Sequence, residues 1–382
     1  MKSKVVLLSC PTYEQEQVYQ KLKTGMEILG GISRYFRKDE KILLKPNLLK
    51  KSETEKAVIT HPAVVGAFAR LLRESGCENL TAGDSSGTGN TEKIMAASKM
   101  DEQLKPYGVR IANFQEGVRV SYPQGKQARE FMMAKEVTEA DALVSLSKMK
   151  THALERITGA VKNSYGFIYG FYKAQGHTRY PSADSFARML VDLNQMVKPR
   201  LYIMDGITAM EGNGPGSGDP VVMGVLLLSE DPVALDSVFC RLIHLDPRLV
   251  PTNYHGEKMK LGTWKEEEIQ LLSEEGEISM ETAVKTYGNP GFRVDRTPVR
   301  SNLWDKMAKV LNRFQKKPYI VTEKCIRCGI CVESCPVPEK AVAFQNGRKK
   351  PPVYNYKKCI RCFCCQEMCP AEAIQVTGQK SS

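Results

Sequence analysis

What most limits the fold of this chain is a run of cysteines near its end. It reads Cys325-x-x-Cys328-x-x-Cys331-x-x-x-Cys335-Pro336, then Cys359-x-x-Cys362-x-x-Cys365-x-x-x-Cys369-Pro370. Soft thiolates select iron–sulfur clusters over hard cations. The two-residue spacings let three thiolates hold three corners of one cubane, and the fourth cysteine of each run reaches the other cluster. The spacing therefore predicts two 4Fe–4S clusters. One takes Cys325, Cys328, Cys331 and Cys369; the second takes Cys359, Cys362, Cys365 and Cys335. Zinc also uses paired Cys-x-x-Cys, and crowded cysteines form disulfides in secreted chains. Neither calls for three cysteines at successive two-residue spacings closed by Cys-Pro, twice over. The sequence Lys-Cys-Ile-Arg-Cys, at Lys324 and again at Lys358, strengthens the repeat. Cys364 is one thiol too many and reads as a bystander or a sulfur in the cluster's surroundings.

Residues 318–378 resemble the two-cluster bacterial ferredoxins. The second run continues Cys369-Pro370-Ala371-Glu372-Ala373-Ile374, as in those proteins. The first continues Cys335-Pro336-Val337-Pro338-Glu339-Lys340-Ala341-Val342, two residues longer. That lengthens a turn and removes no ligand.

The 382 residues suffice for one large domain and a small one. With 42% hydrophobic and 26% charged residues, the composition is that of a globular protein. The longest apolar run, 221–228, is too short to span a bilayer. Leu7-Leu8-Ser9-Cys10 looks superficially like a lipoprotein cleavage site, but the stretch reads better as a first strand. Reduced thiols agree with a cytoplasmic protein. The net charge of +12 is uneven: from Arg296 onward there are 17 Lys+Arg against 6 Asp+Glu, and the rest is nearly neutral. Two oxidised clusters subtract about 2 charges each and leave the tail basic. Such a surface suits an acidic electron carrier of ferredoxin or flavodoxin type, in preference to nucleic acid.

Upstream, strand and helix patterns alternate. Strands are expected over 5–9, 41–45, 79–82, 141–146, 201–204 and 224–228. Helices are expected over 14–29, 63–75, 91–99, 185–197 and from 232 through 243. Residues after His255 read as charged and helix-prone. The alternation predicts an α/β domain over 1–295, with a mainly parallel sheet and flanking helices. A basic linker over 296–317 with one helix over 304–314 follows, and then a ferredoxin domain over 318–382.

The unusual residues follow the predicted strands, where open parallel sheets bind ligands. They are Lys45, Asn47, Lys148, Lys150, His152, Lys162 and Asn163, opposed by Asp84, Ser85, Asp205, Glu211 and Asn213. Cations beside amides suit an anionic small molecule, carboxylate or phosphate. His152 is the candidate proton donor, since its unperturbed pKa lies near neutrality; Lys150 shares the role if neighbouring cations depress its pKa. The glycine-rich loop from Gly83 matches neither dinucleotide nor Walker motifs, so an added flavin or nucleotide has no motif behind it. Blander readings stand beside these. Asp231-Pro232 reads as a helix cap, and Asp236 as a solvated or helix-packing residue. Lys162 fits a solvated helix face and His61 a cap. His177 falls in a polar loop, and His244 and His255 read as structural. Cys10, Cys77 and Cys240 read as buried small hydrophobes.

Several of these segments together are similar to domain-of-unknown-function family 362: Lys45-Pro46-Asn47, Thr60-His61-Pro62, Gly83-Asp84-Ser85, Lys148-Met149-Lys150-Thr151-His152, Val161-Lys162-Asn163, Asp205-Gly206-Ile207, Gly212-Asn213-Gly214-Pro215 and Asp231-Pro232-Val233-Ala234-Leu235-Asp236. The resemblance spans residues 5–290. It implies an iron–sulfur-centre protein and brings no mechanism. The residues themselves favour a reductase passing electrons through two clusters to an anionic substrate. The alternative is a ligand-binding, electron-relay or maturation protein without turnover.

Overall fold

The computed structural model describes residues 2–86, 90–298 and 316–377. The helix expected over 304–314 lies outside them, as do Gly87 and Gly89. Twelve strands belong to the first module: β1 (Ser3–Ser9), β2 (Lys41–Pro46), β3 (Asn79–Ala82), β4 (Arg110–Ile111), β5 (Gly117–Ser121), β6 (Glu130–Ala134), β7 (Ala142–His152), β8 (Arg156–Thr158), β9 (Leu201–Glu211), β10 (Asp219–Ser229), β11 (Ile269–Ser273) and β12 (Gly276–Glu277). Ten form one sheet in the order β12-β11-β1-β10-β9-β7-β2-β3-β4, with β8 on β7; β5 and β6 form a separate hairpin. Pairing is parallel from β9 through β7, β2 and β3 to β4, and again between β1 and β11. β10 runs against both β1 and β9. The α/β class with a mainly parallel sheet is thus as expected.

Helices cover both faces. Helix Gln15–Ile28 starts at Glu14, whose side chain accepts from Glu16 and Gln17 N–H, and turns Val18, Leu22 and Met26 inward at helical spacing. Helix Pro62–Glu74 starts at His61, whose Nδ1 accepts from Ala63 N–H, with proline at N1. Both pack on Ile42, Leu44 and Leu146. The other face carries helices Ala183–Val197 and Pro232–Leu242. Asp231 caps the latter ahead of Pro232, as its sequence implied.

Three readings need correction. β7 runs on through His152 and β9 through Glu211, so Lys148, Lys150, His152 and Asp205 lie within strands. The reason is that their polar groups find partners: Lys148 pairs with Asp205 on β9, Lys150 with Asn47 and Val58 O in the segment after β2, and His152 faces Glu367. Residues after His255 contain β11, which extends the sheet beside β1. Of the two readings of Asp236, solvated or helix-packing, the solvated one falls and the helix-packing one holds. Asp236 is fully buried, and its carboxylate accepts from Ala160 and Val161 N–H at 2.6 and 3.2 Å.

The cysteine module is small. Strands β13 (Pro318–Ile320) and β16 (Ile374–Val376) pair, as do β14 (Val342–Ala343) and β15 (Val353–Tyr354). One-turn helices Ile330–Glu333 and Cys364–Glu367 follow the first cysteines of each run. Cys331, Cys335, Cys365 and Cys369 form its core with Ala341, Val342, Ala373 and Ile374.

Candidate functional site

After β2 the chain winds outward to β3 and β4, then returns to β7 on the other side of β2. This reversal opens a crevice beyond the carboxyl ends of β2 and β7, where open α/β sheets bind ligands. A cavity of about 170 Å³ lies there. Of the residues singled out from sequence, Lys45, Asn47, Asp84, Ser85, Lys162 and Asn163 line it. They are held in a buried network. Lys45 Nζ lies 3.0 Å from Asp84 Oδ1 and donates to Asn163 Oδ1 at 3.0 Å. Asp84 Oδ2 accepts from Leu48 N–H. Asn47 Nδ2 donates to the same Asn163 oxygen, and Asn163 Nδ2 donates to Ser145 Oγ. Burial lowers the Lys45 pKa to about 8, against the pull of Asp84. Gly166 closes this packing: a Cβ there would stand 1.8 Å from Asp84 Oδ1 and 2.4 Å from Lys45 Cε.

The remaining candidates stand elsewhere. Lys150 is buried behind the wall, donating to Asn47 Oδ1 at 2.8 Å and Val58 O at 2.6 Å. Burial, then the nearby Lys162 charge, holds its ammonium well below the usual lysine range. Lys148 donates to Asp205 Oδ2 at 2.7 Å and to Tyr13 Oη at 2.8 Å, and that hydroxyl donates to Asp205 Oδ1. His152 Nδ1 accepts from Leu154 and Glu155 N–H, which leaves the ring proton on Nε2, 3.0 Å from Glu367 Oε1. Burial, with Lys162, lowers its pKa to about 4. His152 and Lys150 thus back the cavity and do not line it. Glu211 accepts from Arg293 N–H and Nε–H, outside the cavity.

Asn213 belongs to the contact between modules. Its Nδ2 donates to Ile374 O at 3.0 Å, while Gln366 Nε2 donates to Asn213 O at 2.7 Å and Gly214 O at 3.2 Å. Lys50 Nζ donates to Cys369 O at 3.0 Å. Gly216 lets the backbones meet, since a Cβ there would come within 2.8 Å of Glu367 O. The cavity is consequently walled on one side by the cysteine module, through Ser334, Cys364, Glu367 and Met368.

Sequence reasoning missed Glu367, Tyr165, Lys173 and His177, which also line the cavity. Glu367 falls between two cluster cysteines in a basic segment, a signal that was available. Its carboxyl is buried, yet the Lys162 charge and the facing His152 hold it below the usual range. His177 lies on helix Gly170–Arg179, correcting its placement in a loop. Its ring stacks on Phe186 at 4.6 Å. Burial lowers its pKa to about 4, and its Nδ1 has no hydrogen-bond partner among the described residues. Lys173 donates to Ser85 O. Lys162, half-buried, makes no hydrogen bond or ion pair among the described residues.

The cysteines form two quartets. Cys325, Cys328, Cys331 and Cys369 ring one cavity; Cys335, Cys359, Cys362 and Cys365 ring another. Ala341 N–H points at Cys335 Sγ, Ala373 N–H at Cys369 Sγ and Tyr354 O–H at Cys365 Sγ. Such donors stabilise thiolates. Among the described residues, no three His, Cys, Asp or Glu side chains converge as a single metal ion would require. Four thiols around each cavity are the soft donor set that a 4Fe–4S cluster takes. Among the described residues no helix is long and apolar enough to cross a membrane.

Residues 42–241 match a domain of unknown function, DUF362, and residues 317–370 match a 4Fe-4S dicluster domain. The chain is 34% identical over 262 residues, 68% of its length and 81% of the relative's, to "Thylakoid-associated protein sll1697" of Synechocystis sp.. Among solved structures it is similar to the lactate racemase apoprotein from Thermoanaerobacterium thermosaccharolyticum, with TM-score 0.38 and 12% identity, over 60% of this chain and 55% of that one. A Thermotoga maritima protein gives TM-score 0.36 and 14% identity, over 65% and 59%. The chain thus spans less than two thirds of either solved chain. With half of its length matched by the first model and the cysteine repeat by the second, the chain belongs to the DUF362 family and carries a 4Fe-4S dicluster domain: it is an iron–sulfur protein.

Proposed function

We propose that the chain is an oxidoreductase that passes single electrons from its cysteine module to a small anion held in the cavity between the modules. The observation that carries this reading is the composition of the wall. Ser334 and Cys364 line the cavity, and each is the chain neighbour of a cysteine of one quartet, Cys335 and Cys365. A ligand in the cavity would lie beside that quartet and beside the unpaired Lys162.

Held by the two quartets, 4Fe–4S clusters supply single electrons. The chain's own residues do the rest. Lys162 offers a positive charge that no ion pair among the described residues occupies and that Glu367, farther off, offsets in part, as an anion needs. His177 presents a neutral ring nitrogen free to hydrogen-bond. Glu367 supplies a carboxylate in the wall as a proton acceptor, with His152 facing it. Lys45, Asn47, Asp84, Ser85 and Asn163 shape the floor, and Lys150 orients Asn47. Lys148 and Asp205 stiffen the strand beneath. A volume below the roughly 300–1,000 Å³ of drug-sized sites favours a small carboxylate or phosphate.

The test is to reduce the cluster-loaded protein without oxygen, add a panel of small carboxylates and phosphates, and follow the return of the oxidised clusters' visible absorption. An anion that reoxidises wild type but not Lys162→Ala supports the proposal. Saturable binding with no reoxidation supports the ligand-binding alternative. No binding and no reoxidation by any member overturns both.

A further inference from the structure

We propose that the face around Ile326 docks an acidic one-electron carrier protein, so that electrons enter at the Cys325 quartet and leave toward the cavity from the Cys335 quartet. The proposal rests on the electron-transfer reading above and adds a direction and a partner to it.

The two quartets are unequally placed. All residues lining the Cys335 quartet are buried or half-buried, and two of its cysteines adjoin residues of the inter-module wall. The Cys325 quartet also touches that wall through Met368, the neighbour of Cys369. It differs in opening outward, because Ile326, Arg327 and Pro370 line it and are exposed. Electron transfer falls off with distance, so the quartet with an exposed edge is the one a partner can reach.

The chemistry of that edge is specific. Ile326 leaves 64% of its surface in water, an uncommon exposure for isoleucine, directly after the ligand Cys325. Val353, next to Pro352 of the same cavity wall, is 48% exposed. Around them stand Lys324, Arg327, Arg348, Lys349 and Lys350, all exposed. Arg327 Nη1 donates to Lys349 O at 3.0 Å, which ties the two basic segments into one face. An apolar centre inside a charged rim is the anatomy of a protein interface. The positive sign selects an acidic partner and speeds its encounter. Nucleic acid fits less well: single strands need exposed aromatic platforms, and Phe344, beside this face, is half-buried under the Arg348 guanidinium.

The step balances simply. The reduced carrier gives up one electron and is oxidised; the group held by Cys325, Cys328, Cys331 and Cys369 gains it and is reduced. No bond breaks and no proton moves at the docking face.

The experiment uses full-length, cluster-loaded protein and a reduced bacterial flavodoxin as the acidic carrier, with no cavity ligand added. The reduction rate is followed by stopped flow, and the affinity of the oxidised pair by calorimetry, each at rising salt. Reversing two charges together, Lys349→Glu with Lys350→Glu, is expected to slow reduction about 10–100-fold at low salt, the scale of electrostatic steering. It should also weaken binding and flatten both salt dependences. Ile326→Ser is expected to weaken binding at every salt concentration. Lys23→Glu, on the exposed side of helix Gln15–Ile28, is a charge reversal away from this face and should change little. Reduction by dithionite should be the same in all variants, which shows that the clusters and fold are intact. Wild-type rates in the double variant, or an equal loss in Lys23→Glu, overturn the proposal. So does an oligonucleotide that binds wild type and not the double variant while flavodoxin reduces both alike. Since no cavity ligand is present, failure of the cavity reading leaves this result untouched.

Discussion

His152 Nε2 stands 3.0 Å from Glu367 Oε1, so the last residue of β7 meets the one-turn helix that carries Cys365. Both side chains are buried. Replacing Glu367 by Ala removes the group facing a buried ring N–H. The expected cost is about 1–3 kcal/mol of stability, the penalty for an unsatisfied buried donor. Iron content should not change, since Glu367 lines neither quartet's cavity. Denaturant unfolding and iron assay read the two outcomes; unchanged stability would mean that this pair does not hold the modules together.

Lys162 and Lys45 should respond differently to alanine. Lys162 makes no hydrogen bond or ion pair among the described residues, but its charge favours the buried Glu367 carboxylate, so Lys162→Ala is expected to lower the melting temperature less than Lys45→Ala does. It should weaken anion binding by about 1.5–3 kcal/mol, the range for hydrogen bonds to charged groups. Lys45→Ala leaves Asp84 buried and unpaired, and about 3–5 kcal/mol of stability should go with it. Calorimetric binding and melting on the two variants separate ligand recognition from scaffold.

Cluster stoichiometry distinguishes the quartets from the extra thiol. Protein purified without oxygen should carry about eight iron and eight labile sulfide per chain. Cys364→Ser should leave that count, because Cys364 lines the inter-module cavity and neither quartet's own cavity. Cys362→Ser should reduce it by about half if the quartets assemble independently. Zinc without sulfide would refute the assignment.

Asp236 sets a pH dependence. Burial raises its carboxyl from the usual 3.8 to about 7. Between those values the folded chain keeps a proton that the unfolded chain loses. The stability from this group is full below about pH 4 and is lost as pH rises through about 7. His61, His152 and His177, lowered to about 4, act with the opposite sign. The informative quantity is therefore a difference: Asp236→Asn should gain stability relative to wild type as pH rises from 4 to 7. A constant difference across that range would contradict the shift.

Much of the site was legible because its residues cluster after strands β2 and β3, at ends that apolar runs mark clearly. β7 and β9 were cut short for a physical reason. Lys148, Lys150 and Asp205 interrupt the apolar runs, and the strands continue because Lys148 pairs with Asp205 and Lys150 with Asn47 and Val58 O. β11 was hidden by the acidic residues around it. His177 looked like a loop residue because Gly170 and Gly176 weaken the helix signal. The cavity's second wall had no sequence signature at all. Glu367 and Cys364 lie some two hundred residues from Lys162 and Asn163 along the chain, and a contact of that separation is decided by how the modules dock.

β7 also acts as a measuring rod. Val144, Leu146, Lys148, Lys150 and His152 alternate onto one face, while Met149 packs into the core on the other. From Lys148 to His152 the strand advances about 13 Å. Along it the face meets Asp205, then Asn47, then Glu367. Deleting or inserting one residue in this stretch would turn every later side chain to the opposite face. Lys150 and His152 would enter the apolar core together, and Met149 or Thr151 would face the cluster module. Single replacements along β7 can be absorbed one at a time, but a change in its length would uncouple three polar contacts at once.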